Sequence, residues 1–422
     1  MSNIRRLIYL VELLKNQWIS EKKLLQIQEV KLINIVKYAY NNSHYYERKF
    51  DSLNLNPKDI KSVKDLRKIP FLTKEDIRKN FDDLIVKRIN LKKCRIVPTS
   101  GSTGTPLKIV YDEKSDDFSK AVNLRSHIAN GLNFNDNWFN IGDTRTAQKR
   151  TWFQKLGFFS LQQLSLFENV ENQVKILKNK NATIITGYPS QLRLISEYLI
   201  KNKINLNIKR VFSTAELLEP QTREIIKRGF GCDVIDLFGC IEVNRTAWEC
   251  EKHEGYHIDI DSVVFEILDS NGNPVKDEET GEIVYTSLNN FAMPLIRYKV
   301  GDMATSFTKK CSCGRRLPLI KRIDGRNDSF ILTKKGGKIS PILIALIFKH
   351  SKGIDSYKVI QESYENITIE IVKGNKFSGE ELEKIKEEFR KYYGNFKFKI
   401  MYKNRIEMEK SGKIRSVICK IN

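Results

Sequence analysis

Nowhere in this sequence does an apolar run approach the roughly 20 residues that a membrane-spanning helix requires. The opening stretch MSNIRRLIYLVELLKNQWISEKK also lacks the small-residue cleavage site of a secretory leader, so the expected compartment is the cytoplasm. Cysteine is scarce and odd in number. Cys94, Cys232, Cys240, Cys250, Cys311, Cys313 and Cys419 form no even framework, which argues against a secreted disulfide scaffold. Internal repeats and low-complexity linkers are missing, and no glycine-rich loop carries the GK[ST] ending of a Walker phosphate loop. Ordinary P-loop chemistry is thereby set aside.

Negative charge is the other shortage. Against 73 Lys and Arg stand 51 Asp and Glu, a formal charge of +22, which fits nucleic acid, anionic lipid or an anionic substrate such as ATP. The excess is lysine spread along the whole chain, in a sequence also rich in Ile and Asn, so no specific nucleic-acid partner is expected. The N-terminal segment, with Arg5, Arg6, Lys15, Lys22 and Lys23 among apolar residues, either rests on a membrane surface or packs on its own protein. Peripheral membrane contact therefore stays open, as does the choice between monomer and homodimer.

What is present is a folded-protein composition, 41% hydrophobic and 29% charged, on a chain of 422 residues, too long for one simple core. Helical spacing runs from about residue 5 to 50, and Thr73 with Asp76 reads as a capping box opening a helix. CRIVPTS and LKIVYD read as strands around a glycine-rich turn, and DDFSKAVNLRSHIANGL as a helix. NATIITGYPSQLRLISEYLI and NIKRVFSTAELLEPQTREIIKRGF each read as strand, turn and helix, and CDVIDLFGCIE as a further strand. Short strands with Gly and Asn turns follow from about 257 to 320, and the last hundred residues read as an α+β module. The expected fold is α/β: a large multi-subdomain N-terminal domain with mixed and parallel sheets, residues 1–326, plus a small α+β C-terminal domain, residues 327–422.

The sharpest motif is TSGSTGTP, residues 99 to 106. Gly101 and Gly104 let the backbone approach an anion, and Ser100, Ser102, Thr103 and backbone N–H groups can donate to phosphate oxygens. Alone, such a loop is equally a flexible turn. FGCIE at 238 to 242, MPLIRYKVGD at 293 to 302, IDGRNDSF at 323 to 330 and KSGKIR at 410 to 415 follow in order. Together the set resembles the adenylate-forming superfamily, in its phenylacetate-CoA ligase-like branch with the members associated with capsule biosynthesis.

That resemblance implies roles. Thr99, Ser100, Gly101, Ser102, Thr103, Gly104 and Thr105 would hold the β- and γ-phosphates of ATP, and Glu242 the magnesium ion, a fitting task for a hard carboxylate. Thr214, Ala215 and Glu216 would line the adenine, with Phe238 stacked on it beside Gly239. Asp302 would accept from the ribose hydroxyls, and Arg326, with Arg297 in support, would contact ribose or phosphate. Lys413 would neutralise charge developing at the α-phosphate, and Asp328 would be the hinge of a mobile C-terminal domain. Tyr188, Pro189, Ser190 and Cys240 would line the acid pocket; Trp138, Phe139 and Trp152 are either its walls or core. Two residues depart from the pattern. Ile241 stands where a Thr or Ser often precedes the magnesium-binding Glu, and Ser329 replaces the second Asp after GRx.

Cys250, Cys311 and Cys313 with His257 or His253 make a Cys3His set suited to structural zinc, with no position left for water. The resemblance favours His257; unligated thiols are the alternative. His127 and His44 fall in no pattern and read as packed or surface side chains. The implied activity is ATP-dependent activation of a small-molecule carboxylic acid to an acyl-adenylate, followed by transfer to an acyl acceptor, coenzyme A being the commonest. Amide formation on a sugar, adenylyl transfer and a catalytically quiet ATP-binding scaffold are the competing readings.

Overall fold

The computed structural model describes residues 2–98, 107–142, 160–326, 329–334, 338–339, 341–348, 351, 353–394, 396–409 and 414–421. The chain divides into two compact units, Met1–Leu132 with Leu237–Ile323, and Asn133–Asp236 with Asp324–Asn422.

The first unit opens with helices Ser2–Asn16, Glu21–Asn42 and His44–Ser52, as the apolar spacing predicts. Thr73 accepts from the Asp76 amide while the Asp76 carboxylate accepts from the Thr73 amide, completing the capping box of helix Lys74–Lys79. The strands around the serine- and glycine-rich loop pair antiparallel, Arg95 opposite Tyr111 and Pro98 opposite Lys108. The helix Glu113–Ile128 follows, begun by an Asp112 side-chain cap. Downstream, Val263–Leu268 pairs with Thr280–Ser287 and that strand with Tyr298–Phe307, all antiparallel, the short-strand region expected from the Gly and Asn turns.

A charged cluster lies inside this unit. Arg125, fully buried, donates to Asp259 at 2.6 Å, to both carboxylate oxygens of Asp261 at 2.8 and 2.9 Å, and to the Leu13 carbonyl at 3.2 Å. Asn16 donates to Asp261 at 3.0 Å and Trp248 to Asp259 at 2.8 Å. A buried pair is costly unless its remaining polar atoms find partners, and these neighbours supply most of them, while Arg125 Nε and Asp259 Oδ2 find none among the described residues.

In the second unit, strands Arg210–Thr214, Ile184–Gly187, Asn137–Gly142 and Ser160–Ser165 pair in that order and all in parallel. Parallel strands need crossover helices, and Val170–Asn179 and Pro189–Asn202 are two of them, with Pro220–Phe230 following the last strand. Their apolar faces close a core around Ile185, Leu192, Ile195, Val211 and Ile226. The C-terminal α+β module is a sheet in the order Lys397–Tyr402, Asn366–Lys373, Ile354–Gln361 and Val417–Cys419. Helices Pro341–Phe348 and Gly379–Tyr393 pack on it through Phe348, Ile385 and Phe389. The expected α/β class with a smaller α+β region is the observed one.

Candidate functional site

Glu242 follows the strand Val234–Cys240 on a tight return into Asn244–Glu249. The pairing of these strands slips between Phe238 and Gly239, and a Cβ at Gly239 would sit 2.2 Å from the Asn244 carbonyl. Only glycine permits that approach, which explains the Gly in FGCIE. Asn244 takes a left-handed conformation, φ 63°, and donates to the Tyr111 hydroxyl at 3.1 Å and to Ser119 at 2.7 Å. The Tyr111 hydroxyl in turn lies 2.7 Å from the Ile241 carbonyl and 2.9 Å from that of Glu242, so one phenol pins the return.

The Glu242 side chain is buried, and Tyr298 donates to its Oε1 at 2.9 Å. Among the described residues nothing hydrogen-bonds Oε2. Burial pushes the neighbouring Cys240 thiol well above its ordinary value, and the negative charges of Glu242 and Asp302 push it further. That shared influence brings Glu242, Asp302 and Cys240 into one neighbourhood. Ile241 is 38% exposed, so the apolar departure points outward rather than into the core. Arg297 is engaged elsewhere: its guanidinium donates to the Ile69 carbonyl at 2.8 Å, approaches Glu266 at 3.5 Å and lies over the Phe71 ring.

In the second unit, STAE leaves the strand Arg210–Thr214 through Ala215 at φ 70°, an uncommon conformation for a residue with a Cβ. This turn presents the Glu216 carboxylate to the start of helix Pro189–Asn202, where it accepts from the Ser190 amide at 2.9 Å and its hydroxyl at 3.0 Å. Tyr188 in the cap position supplies no side-chain acceptor, so Glu216 takes that part from a distance. Glu216 also accepts from the Ile414 amide at 2.9 Å. Three residues on, Glu219 accepts from Ser416 at 2.5 Å and Tyr357 at 3.1 Å, and burial raises its carboxyl pKa. Ser329, the departure from the paired Asp, is buried and accepts from Arg415 at 2.8 Å. Arg326 is partly buried next to Gly325, where φ is 100° and a Cβ would meet Pro341 at 3.2 Å. Trp138 and Phe139 are buried in the parallel sheet, as core.

The loop from Thr99 to Pro106, Trp152, Asp328 and Lys413 lie outside the described residues.

The cysteine and histidine set assembles in the first unit. One potential ligand atom from each of Cys250, His257, Cys311 and Cys313 falls within 4.8 Å of all the others. The Cys250 and Cys311 sulfurs are 3.6 Å apart, and Cys313 Sγ is 3.3 Å from His257 Nε2. His257, on the short strand Tyr256–Ile258, is fully buried against Trp248, whereas His253 sits in the preceding turn, 3.4 Å from Glu249. Burial lowers the His257 pKa, but hydrogen bonds and charge from Cys250 and Cys313 outweigh it and raise it to about 9. Burial raises Cys313, and hydrogen bonds from His257 and Arg315 outweigh that and bring it to about 6. Three thiols and an imidazole enclosed within one ion's reach fit a closed tetrahedral metal site.

Sequence reasoning missed Tyr111, Tyr298 and the cluster at Arg125. Tyr298 stands inside MPLIRYKVGD, four residues before Asp302, and the alternation of its strand was the available signal.

Comparison with known proteins places these features. Residues 331–420 match the CapK C-terminal domain. Protein CapK of Staphylococcus aureus is 26% identical over 421 residues, covering 94% of this chain and 89% of its own. A phenylacetate-coenzyme A ligase of Escherichia coli K12 is 29% identical over 330 residues, 75% of this chain and 74% of the relative. Among solved structures, 2-hydroxyisobutyryl-CoA ligase in its postadenylation state superposes with a TM-score of 0.81 at 18% identity, covering 96% of this chain and 91% of that one. The chain thus has the fold of adenylate-forming ligases, and its resemblance to the phenylacetate-CoA ligase-like branch, CapK included, extends over most of its length.

Proposed function

We propose that this chain, a relative of the phenylacetate-CoA ligases and of CapK, is an AMP-forming carboxylate ligase. The observation that carries the reading is the buried Glu242 carboxylate, held through one oxygen by Tyr298 and sharing its surroundings with Asp302 and Cys240, in a chain similar to those relatives over most of its length. In the first half-reaction an oxygen of the substrate carboxylate bonds to the α-phosphorus of ATP, and pyrophosphate leaves with the electrons of the broken P–O bond. In the second, a thiol loses its proton and its sulfur attacks the acyl carbon, releasing AMP.

Residues 99–105 would cradle the β- and γ-phosphates, Ala215, Glu216, Phe238 and Gly239 the adenine, and Asp302 and Arg326 the ribose. Magnesium, when bound at Glu242, supplies positive charge to the phosphate oxygens, and Glu242 offers it a carboxylate oxygen that no described residue hydrogen-bonds. Lys413 would neutralise the α-phosphate as it gains charge, carried by a mobile domain of residues 327–422 turning at Asp328. Tyr188, Pro189, Ser190 and Cys240 would bound the acid. Zinc at Cys250, His257, Cys311 and Cys313 would have a structural part, since four protein ligands leave no open position.

A second reading of the transfer step has an amine on a surface sugar as the acceptor and an amide as the product. ATP–pyrophosphate exchange with a panel of aryl, aliphatic, hydroxy and amino acids tests the first half-reaction without the acceptor. Exchange with one acid class supports the ligase; magnesium-ATP binding with no exchange for any acid rejects it. Supplying coenzyme A or an amino sugar to the acid that exchanges then separates the two acceptors. Lys413→Ala is expected to lose exchange while keeping ATP binding.

A further inference from the structure

The first helix, Ser2–Asn16, has two faces of different fate. One is fixed to its own protein: Leu10 and Leu13 are buried with Phe118, Ala121 and Val122, and Arg5 and Arg6 donate to Asp117 at 2.7 and 2.5 Å. On the other, Ile4, Leu7, Ile8 and Val11 remain 67, 59, 59 and 42% exposed. Their spacing of three, four and seven residues sets them in a single stripe about 10 Å long. The helix is therefore already paid for by internal packing, and the stripe has no part in it.

The same side of the unit continues into Trp18, 53% exposed, with the Arg315 guanidinium 5.1 Å from its ring. The Arg316 amide donates to the Gln17 carbonyl at 2.8 Å, so the loop from Lys309 to Arg316 adjoins the end of the stripe. Lys15, Lys22, Lys23, Lys309, Lys310 and Arg316 are all exposed there, and Glu12 and Glu21 are the exposed acids of the same segments. Aliphatic side chains along a helix, an indole at its end and surrounding lysines are the chemistry that enters the boundary between acyl chains and anionic headgroups. A second copy is disfavoured on this face, because each chain carries +22 and pairing would bring like basic clusters together.

We propose that the exposed face of Ser2–Asn16, with Trp18 and the surrounding lysines, docks on an anionic lipid bilayer. The stripe enters the interface and the cations meet the headgroups, and the docking is independent of the ligase reading.

The full-length protein is sedimented with vesicles of phosphatidylcholine containing phosphatidylglycerol and with vesicles of phosphatidylcholine alone. Wild type is expected to pellet with the first and not the second, and to be released by high salt. Leu7→Glu/Ile8→Glu and, separately, Lys15→Glu/Lys22→Glu/Lys23→Glu are each expected to lower the bound fraction about tenfold. Both variants keep the wild-type melting temperature and exchange rate, because the altered side chains are exposed and outside the site. Undiminished pelleting of Leu7→Glu/Ile8→Glu overturns the proposal, and so does wild type that ignores the anionic vesicles. A wild-type dimer in solution that this variant dissolves, without vesicle binding, assigns the face to a second copy and overturns it equally.

Discussion

His127 is buried on the helix Glu113–Ile128, its Nδ1 2.8 Å from the Asn123 carbonyl. Burial, aided by the positive charge of Arg245, pulls its pKa down to about 3 against the opposing hydrogen bond. The folded chain thus refuses a proton that the unfolded chain accepts near the ordinary 6.5. Stability is full above that value and is lost as pH falls from it toward 3. His127→Gln should therefore flatten the loss of stability between about pH 7 and about pH 5, read by urea denaturation of both proteins. At Glu242 the expectation concerns rate. Tyr298→Phe removes a hydrogen bond to a charged group, worth about 1.5–3 kcal/mol, so exchange should fall roughly tenfold to a hundredfold with the fold intact. Unchanged exchange would separate Tyr298 from the chemistry. Glu242 was legible because its motif places a carboxylate beside a glycine turn. Tyr111 was not, because its hydroxyl reaches Ile241 and Glu242 across 130 and 131 residues of sequence.

Elements were easier to read than their junctions. The capping box at Thr73, the strand-turn-helix units and the C-terminal module all follow from local spacing, and local spacing is what secondary structure answers to. The cap of Pro189–Asn202 is different, because its acceptor is Glu216, 26 residues on. Glu216→Ala should cost about 1–2 kcal/mol, seen as a lower melting temperature, whereas Glu216→Gln keeps an acceptor and should retain most of it. The metal set shows the same contrast. Cys-x-Cys-Gly announced two thiols and the resemblance favoured His257, and the physical reason lies in the strand Tyr256–Ile258, which buries one imidazole and leaves the other in the turn. Cys311→Ser/Cys313→Ser should release a stoichiometric metal ion, checked by elemental analysis, and lower the melting temperature. Equal metal content in the variant would remove zinc from that site.

At the scale of the whole molecule, composition and pattern indicated an α/β chain with a smaller α+β end, and the structure has both. They did not indicate that residues 1–132 group with 237–323 while 133–236 group with 324–422. Such grouping is decided by side chains far apart in sequence, which periodicity does not record.

The cluster at Arg125 has a consequence for engineering. Leu13 and Asn16 from the first helix, Arg125 from a helix more than a hundred residues later and Asp259 and Asp261 beyond that share one set of hydrogen bonds. Exchanging the amino-terminal segment for one without Asn16 therefore removes a buried amide donor from Asp261, while Arg125 keeps both carboxylates and any residue at position 13 still offers the carbonyl. A chimera whose incoming segment lacks an amide at position 16 should lose about 1.5–3 kcal/mol of stability in urea denaturation, and restoring Asn16 should recover it. The same hydrogen bonds make the leading helix an integral part of its unit rather than an exchangeable appendage.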